Sequence, residues 1–93
     1  MAAARLVRLT RGYRQGIDRL GVRGGTPVHR SIAATIRSLA GAAVLPEPGD
    51  LEGLIPPTLR AHVRRVPGTQ LWLWYTETDE VVTLRALTAV RPP

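Results

Sequence analysis

The chain has 93 residues, enough for one compact core, and 44% hydrophobic with 22% charged residues is the make-up of a globular domain rather than a disordered tail. No apolar run approaches the roughly 20 residues of a membrane-spanning helix, and "MAAARLVRLTRG" lacks the uninterrupted apolar middle of a signal peptide, so a single cytoplasmic domain spanning 1–93, with no membrane role, is expected. Cysteine is absent, which removes disulfides, thiolate nucleophiles and Cys-type zinc sites from consideration and leaves two histidines as possible soft ligands; no metal or other cofactor is expected.

In chain order, "ARLVRLT" (Ala4 to Thr10) reads as an edge strand through Leu6, Val7 and Leu9. "RGYRQGIDRL" then places Tyr13, Ile17 and Leu20 on one helical face, with Gly12 and Gly16 weakening that helix. Thr26-Pro27 is a helix start, an N-cap hydroxyl followed by proline at the first helical position. The helix that follows aligns Val28, Ile32, Ile36 and Leu39 on one stripe, with His29 facing solvent. "LPEPGD" is a linker and "LEGLIPP" irregular. The rest reads as a strand over 58–66, a turn at Pro67-Gly68, a strand over 71–76, a turn at 77–79 and a strand over 80–90. The expected architecture is α+β: a strand, two helices and a three-strand meander, forming a four-stranded antiparallel sheet with both helices packed on one face.

Side chains alternate along a strand, so each strand sorts into two sets. Leu59, Ala61 and Val63 alternate with Arg60, His62 and Arg64; Leu71, Leu73 and Tyr75 with Trp72, Trp74 and Thr76; Val82, Leu84 and Ala86 with Val81, Thr83 and Arg85. If the aliphatic sets receive the helices, the open face carries Arg60, His62, Arg64, Trp72, Trp74, Thr83 and Arg85.

The thirteen basic residues are all arginine and outnumber seven acidic ones, for a net charge of +6. Arginine favours bidentate contacts to phosphate and stacking on rings; GC-rich codon usage produces the same bias. The charge therefore points to an anionic partner without choosing among nucleic acid, an acidic protein and neither. A basic face with interleaved indoles fits single-stranded nucleic acid, where each stacked base contributes roughly 1–3 kcal/mol. It equally fits cation–π pairs that only cover the sheet, worth roughly 0.5–1 kcal/mol each, or a protein interface built on Trp and Arg.

The ordered features Leu51-Glu52-Gly53, the Arg-rich stretch Arg60 to Arg65, the Gly68 turn, Tyr75 and "VVTLRAL" (Val81 to Leu87) resemble the RelE/ParE superfamily of bacterial toxins. The resemblance covers about 40 residues by motif and the whole chain by element order. It implies the toxin of a type II toxin–antitoxin system, held in check by a cognate antitoxin protein that wraps it with a helix or an extended segment. RelE-like members bind the ribosome and cleave mRNA with the RNA's own 2′-OH as nucleophile and no metal; ParE-like members share the fold and inhibit DNA gyrase; a non-catalytic basic binding module is the remaining alternative.

The RelE-like chemistry needs a group to take the 2′-OH proton, one to protonate the leaving 5′-oxygen, and cations around the phosphate. Arg60 and Arg64 stand where some members carry lysines, and Arg85 matches an arginine on the last strand. The chain ends "TAVRPP", without the Tyr or His such nucleases carry after that strand. His62 is then the open-face residue suited to proton transfer, and Glu47, Asp50 and Glu52 are loop carboxylates able to act as a base. The expected catalytic set is His62, Arg64 and Arg85, with Arg60, Arg65, Trp72, Trp74 and Arg91 binding nucleic acid.

Overall fold

In the computed structural model, which describes residues 4–91, two threonine hydroxyls start the two helices. Thr10 Oγ1 accepts from the Tyr13 N–H and Thr26 Oγ1 from the His29 N–H, each satisfying a donor that the first turn leaves free. The elements run β1 (Leu6–Leu9), α1 (Arg11–Arg19), α2 (Pro27–Gly41), β2 (Leu51–Ile55), β3 (Leu59–Arg65), β4 (Trp72–Glu77) and β5 (Val81–Thr88). The result is an α+β domain with two helices and a mixed sheet of five strands in the order β1-β5-β4-β3-β2.

The sheet differs from the expected one in two ways. "LEGLI" forms β2 and pairs antiparallel with β3, and β1 pairs parallel with β5. The antiparallel expectation fails for β1 because its link to the next strand is not a hairpin. Both helices intervene, carrying the chain from the β1 edge of the sheet to the β2 edge. Gly53 and the Pro56-Pro57 pair made β2 look irregular, but an edge strand tolerates such residues, and Gly53 has a packing role described below.

Both helices lie on one face, as their core contacts show. Tyr13 of α1 and Ile32 and Leu39 of α2 join Val66, Leu73, Tyr75, Val82, Leu84 and Leu87 in one buried cluster, with Ile17, Leu20 and Ile36 packed against it. Val28, at the start of the α2 stripe, is left exposed. The glycines of α1 let its backbone lie directly on β5: a Cβ at Gly12 would fall 2.6 Å from the Arg85 carbonyl oxygen, and one at Gly16 2.6 Å from that of Leu87.

Residues directly opposite one another in a ladder share a face. His62 is paired with Tyr75 and Arg64 with Leu73, whereas Val63 is paired with Trp74 and Arg65 with Trp72. Since Leu73 and Tyr75 belong to the helix-side core, the expected assignment of β3 is inverted: His62, Arg64 and Val66 face the helix side, and Ala61 and Val63 face away. The inversion has a physical cause. Ala61 and Val63 are buried, but under the Trp74 ring rather than under a helix, and a Cβ at Gly53 would fall 2.4 Å from Trp74 Cζ3 and 3.1 Å from Val63 Cγ2. The ring lies across the strands because Gly53 leaves room for it. On β5 the helix-facing set is Val82, Leu84 and Leu87 rather than Ala86, because the ladder slips: Tyr75 pairs with Leu84 and Trp74 with Ala86, leaving Arg85 as an extra, bulged residue.

Candidate functional site

The strand carboxylates, Glu52 and Glu77, both fall on the helix side. There Glu77 of β4 meets His62 of β3, and Arg64 of β3 meets the loop carboxylates Glu47 and Asp50, while Glu52 of β2 stands opposite His62. Two clusters form.

The first is closed. Arg64 donates from Nε to Asp50 Oδ1 at 2.8 Å and from Nη2 to Asp50 Oδ2 at 2.8 Å, a bidentate pair, and Nη2 also reaches Glu47 Oε1 at 2.7 Å. The Tyr75 hydroxyl donates to Asp50 Oδ2, as does the Glu47 backbone N–H. The Asp50 side chain is 4% exposed and that of Arg64 14%. Burial alone would raise the Asp50 carboxyl, but the hydrogen bonds from Arg64, Tyr75 and Glu47, with the Arg64 charge, outweigh it and hold the carboxyl below the ordinary carboxylate range. Burial and the bond to Asp50 push the Tyr75 phenol well up, so its proton stays in place. This cluster pins the 47–50 loop to the sheet through Nε and Nη2 of Arg64, while Nη1 reaches only Ser38 Oγ of α2 at 3.4 Å.

The second cluster is open. His62 Nε2 lies 3.5 Å from Glu77 Oε1, with side chains 26% and 20% exposed. Nδ1 of His62 is buried and has no hydrogen-bond partner among the described residues, while the ring tilts at 44° against Tyr75. The Nε2 edge is thus where a proton can move. His62 also lines a groove of about 600 Å³ with Glu52, Leu54 and Arg60.

The helix-free face is different in kind. It presents Trp72, Trp74, Arg65, Arg85 and Thr76, Arg8 by its pairing with Thr83, and no strand carboxylate. Trp74 Nε1 donates to Thr88 Oγ1 at 3.0 Å and Arg85 Nε to Thr76 Oγ1 at 3.0 Å. Arg65 is exposed and donates from Nε to the Thr69 carbonyl. Arg91 is exposed beyond β5, lining a hollow with Arg19, Trp74 and Val90.

The expected catalytic set is therefore not brought together. His62 and Arg64 share the helix side, where Arg64 is held by carboxylates, and Arg85 lies on the opposite face beside the tryptophans. Arg60 stands with His62, whereas Arg65, Trp72 and Trp74 form a group with Arg85. Glu77 was missed by sequence reasoning because it was placed in a turn. Its parity with Leu73 and Tyr75 on one continuous strand was the available signal. Among the described residues no group of three or more His, Asp or Glu side chains converges as a metal site, and no helix is long and apolar enough to cross a membrane. Compared with models of known families, with curated proteins and with solved structures, the chain matches none.

Proposed function

We propose that this chain is the toxin of a RelE/ParE-type toxin–antitoxin pair and that it cleaves RNA without a metal, with the reaction centred on His62 and Glu77. The observation that carries this reading is the 3.5 Å His62–Glu77 contact at the open end of the helix side. A carboxylate and an imidazole at that separation supply the base and the acid the reaction needs. Glu77 takes the proton of the 2′-OH as its oxygen bonds to phosphorus. His62 in its imidazolium form gives its Nε2 proton to the 5′-oxygen and returns to the neutral imidazole as the P–O5′ bond breaks, leaving a 2′,3′-cyclic phosphate. Arg60, exposed and two residues before His62 on the same face, is free to neutralise the phosphate. The carboxylate-free Arg/Trp face opposite supports docking on ribosomal or messenger RNA, through phosphate contacts and stacking. A cognate antitoxin, acidic where this chain is basic, completes the pair.

His62→Ala and Glu77→Gln should each lower RNA cleavage by about 10²–10⁴-fold and relieve growth arrest while retaining the native circular dichroism spectrum. Undiminished cleavage and arrest in both folded variants would overturn the assignment. Arg64→Ala is not diagnostic, because its partners make it a folding residue.

The separation of Arg85 from His62 and the engagement of Arg64 favour a second reading, a ParE-like toxin that blocks DNA gyrase by binding. Labelled amino acid and labelled nucleotide incorporation after induction distinguish the two: translation falls first for the nuclease, DNA synthesis for the gyrase inhibitor.

A further inference from the structure

We propose that the groove on the helix-side surface of β2 and β3 is a guanine-recognition subsite read by the Glu52 carboxylate. This rests on the RNA-cleaving reading and gives that same site a base preference.

The helix-side surface of β2 and β3 leaves a groove of about 600 Å³, a volume suited to a nucleotide-sized ligand, since small-molecule sites run to roughly 300–1,000 Å³. The register fixes what the groove offers. Glu52 lies directly opposite His62 and Leu54 directly opposite Arg60, so a carboxylate adjoins the imidazole and an aliphatic side chain adjoins the guanidinium. Leu54 is 55% exposed, an apolar wall against which a flat ring can lie.

Glu52 is also distinguished by what it does not do. Glu47 and Asp50 are taken by Arg64 and Glu77 contacts His62, whereas Glu52 makes no ion pair or side-chain hydrogen bond among the described residues. Arg60, its diagonal neighbour of opposite charge, is likewise exposed and unpaired among them. Two opposite charges flank one groove without neutralising each other, and each is left for a ligand.

The chemistry selects the base. A carboxylate only accepts hydrogen bonds, and guanine alone among the RNA bases presents two adjacent donors, N1–H and the N2 amino group, on its Watson–Crick edge. Both can point at the two oxygens of one carboxylate. Adenine offers N1 as an acceptor beside its amino group, cytosine offers N3 the same way, and uracil has a single donor between two carbonyls. A lone pair facing a carboxylate leaves both unsatisfied, which is how a site built on hydrogen bonds rejects the wrong ligand. The splayed bases of single-stranded RNA are read on this edge while stacked on protein side chains. Glu52 then reads the base, Leu54 packs its ring, and Arg60 meets the phosphate next to the His62–Glu77 pair.

The test is an NMR titration of the ¹⁵N-labelled full chain with 3′-GMP and, separately, with 3′-AMP. The expected result is that 3′-GMP shifts the amide resonances of residues 52–54 and 60–62 and binds at least about tenfold more tightly than 3′-AMP, one bidentate pair's worth of discrimination. Glu52→Gln, an exposed substitution, should erase that preference, because its amide group turns a donor toward a donor. Arg60→Ala should weaken both nucleotides alike. Equal binding of the two nucleotides, binding of neither, shifts confined to other residues, or a preference that survives Glu52→Gln each overturn the subsite. The outcome is separable from the nuclease assignment: undiminished RNA cleavage by His62→Ala and Glu77→Gln overturns the catalytic centre while a Glu52-dependent guanine preference still stands, and the reverse result removes only the base reading.

Discussion

The two halves of the sheet are stabilised on opposite faces. At β4 and β5 the buried side chains, Leu73, Tyr75, Val82, Leu84 and Leu87, point toward the helices. At β3 the aliphatic residues Ala61 and Val63 are just as buried but point away, under Trp74, and the helix side holds Arg64, His62 and the carboxylates instead. A single pleated sheet can change its buried face only if something other than a helix covers the second half, and here one indole does so. The arrangement frees the helix side of β2 and β3 for polar chemistry. A sheet roofed from edge to edge would have filled that surface with aliphatic side chains.

The sharpest way to break the polar half is Arg64→Ala. It leaves Asp50, with a side chain 4% exposed, without its cation, and breaking a buried pair from one side costs about 3–5 kcal/mol. Arg85→Ala, which removes a half-buried guanidinium whose Nε is held by one threonine hydroxyl and by no carboxylate among the described residues, should stay within about 1 kcal/mol. Urea unfolding of both variants measures the contrast, and similar losses would show that the two arginines are equivalent. The same cluster sets a pH dependence. The Asp50 carboxyl is depressed in the fold, so its contribution is present above its unfolded pKa of about 3.9 and is lost as the pH falls through the lower folded value. Melting temperatures recorded downward from pH 5 should fall in the wild type and flatten in Asp50→Asn.

Much of the helical half was legible in the sequence, and the other half was not. The Thr-Pro start of α2, its Ile32 and Leu39 stripe, and the inward set of β4 follow from local rules that tertiary contacts do not override. Strand β3 misleads because alternation identifies two faces but does not say which is roofed. The clean split of Ala61 and Val63 from the charged residues suggested a helix-facing side, and the real cover, Trp74, comes from a neighbouring strand. Glycine hid β2 for a related reason: a missing side chain weakens a strand signal, yet at Gly53 it is the gap that admits the ring. The bulge at Arg85 altered the parity of β5 after Leu84, a shift that residue types do not announce.

Filling that gap should have the next largest effect. In Gly53→Ala the new methyl would fall 2.4 Å from Trp74 Cζ3 and 2.8 Å from Cη2, an overlap the ring escapes only by lifting from Val63, at a cost of about 1–3 kcal/mol. In a Trp74→Leu background the same change should be close to neutral, since the two residues share one space and their effects do not add. Denaturant unfolding of the four proteins in this cycle gives the coupling. Additive losses would mean that Trp74 does not cover β3 in the way described.

The smallest predicted effects compare the helix caps, and they test how firmly the helical half is tied to the sheet. Thr26 caps α2 from an exposed turn, donating only to the Arg23 carbonyl nearby. Thr10 caps α1 and also donates to the Leu84 carbonyl of β5 at 2.7 Å, at the point where the chain leaves β1. Loss of an N-cap hydroxyl costs about 0.5–2 kcal/mol, and the second bond of Thr10 is local to neither helix nor turn: it joins α1 to the strand it packs on. Thr10→Ala should therefore fall at the upper end of that range and Thr26→Ala at the lower, with Thr→Ser restoring most of the loss at both. Equal losses would mean that the hydroxyl bond to Leu84 adds nothing beyond capping, and that α1 is held to β5 by the Thr10 backbone bond to Leu84, the close approach of Gly12 and Gly16 and the packing of Tyr13, Ile17 and Leu20.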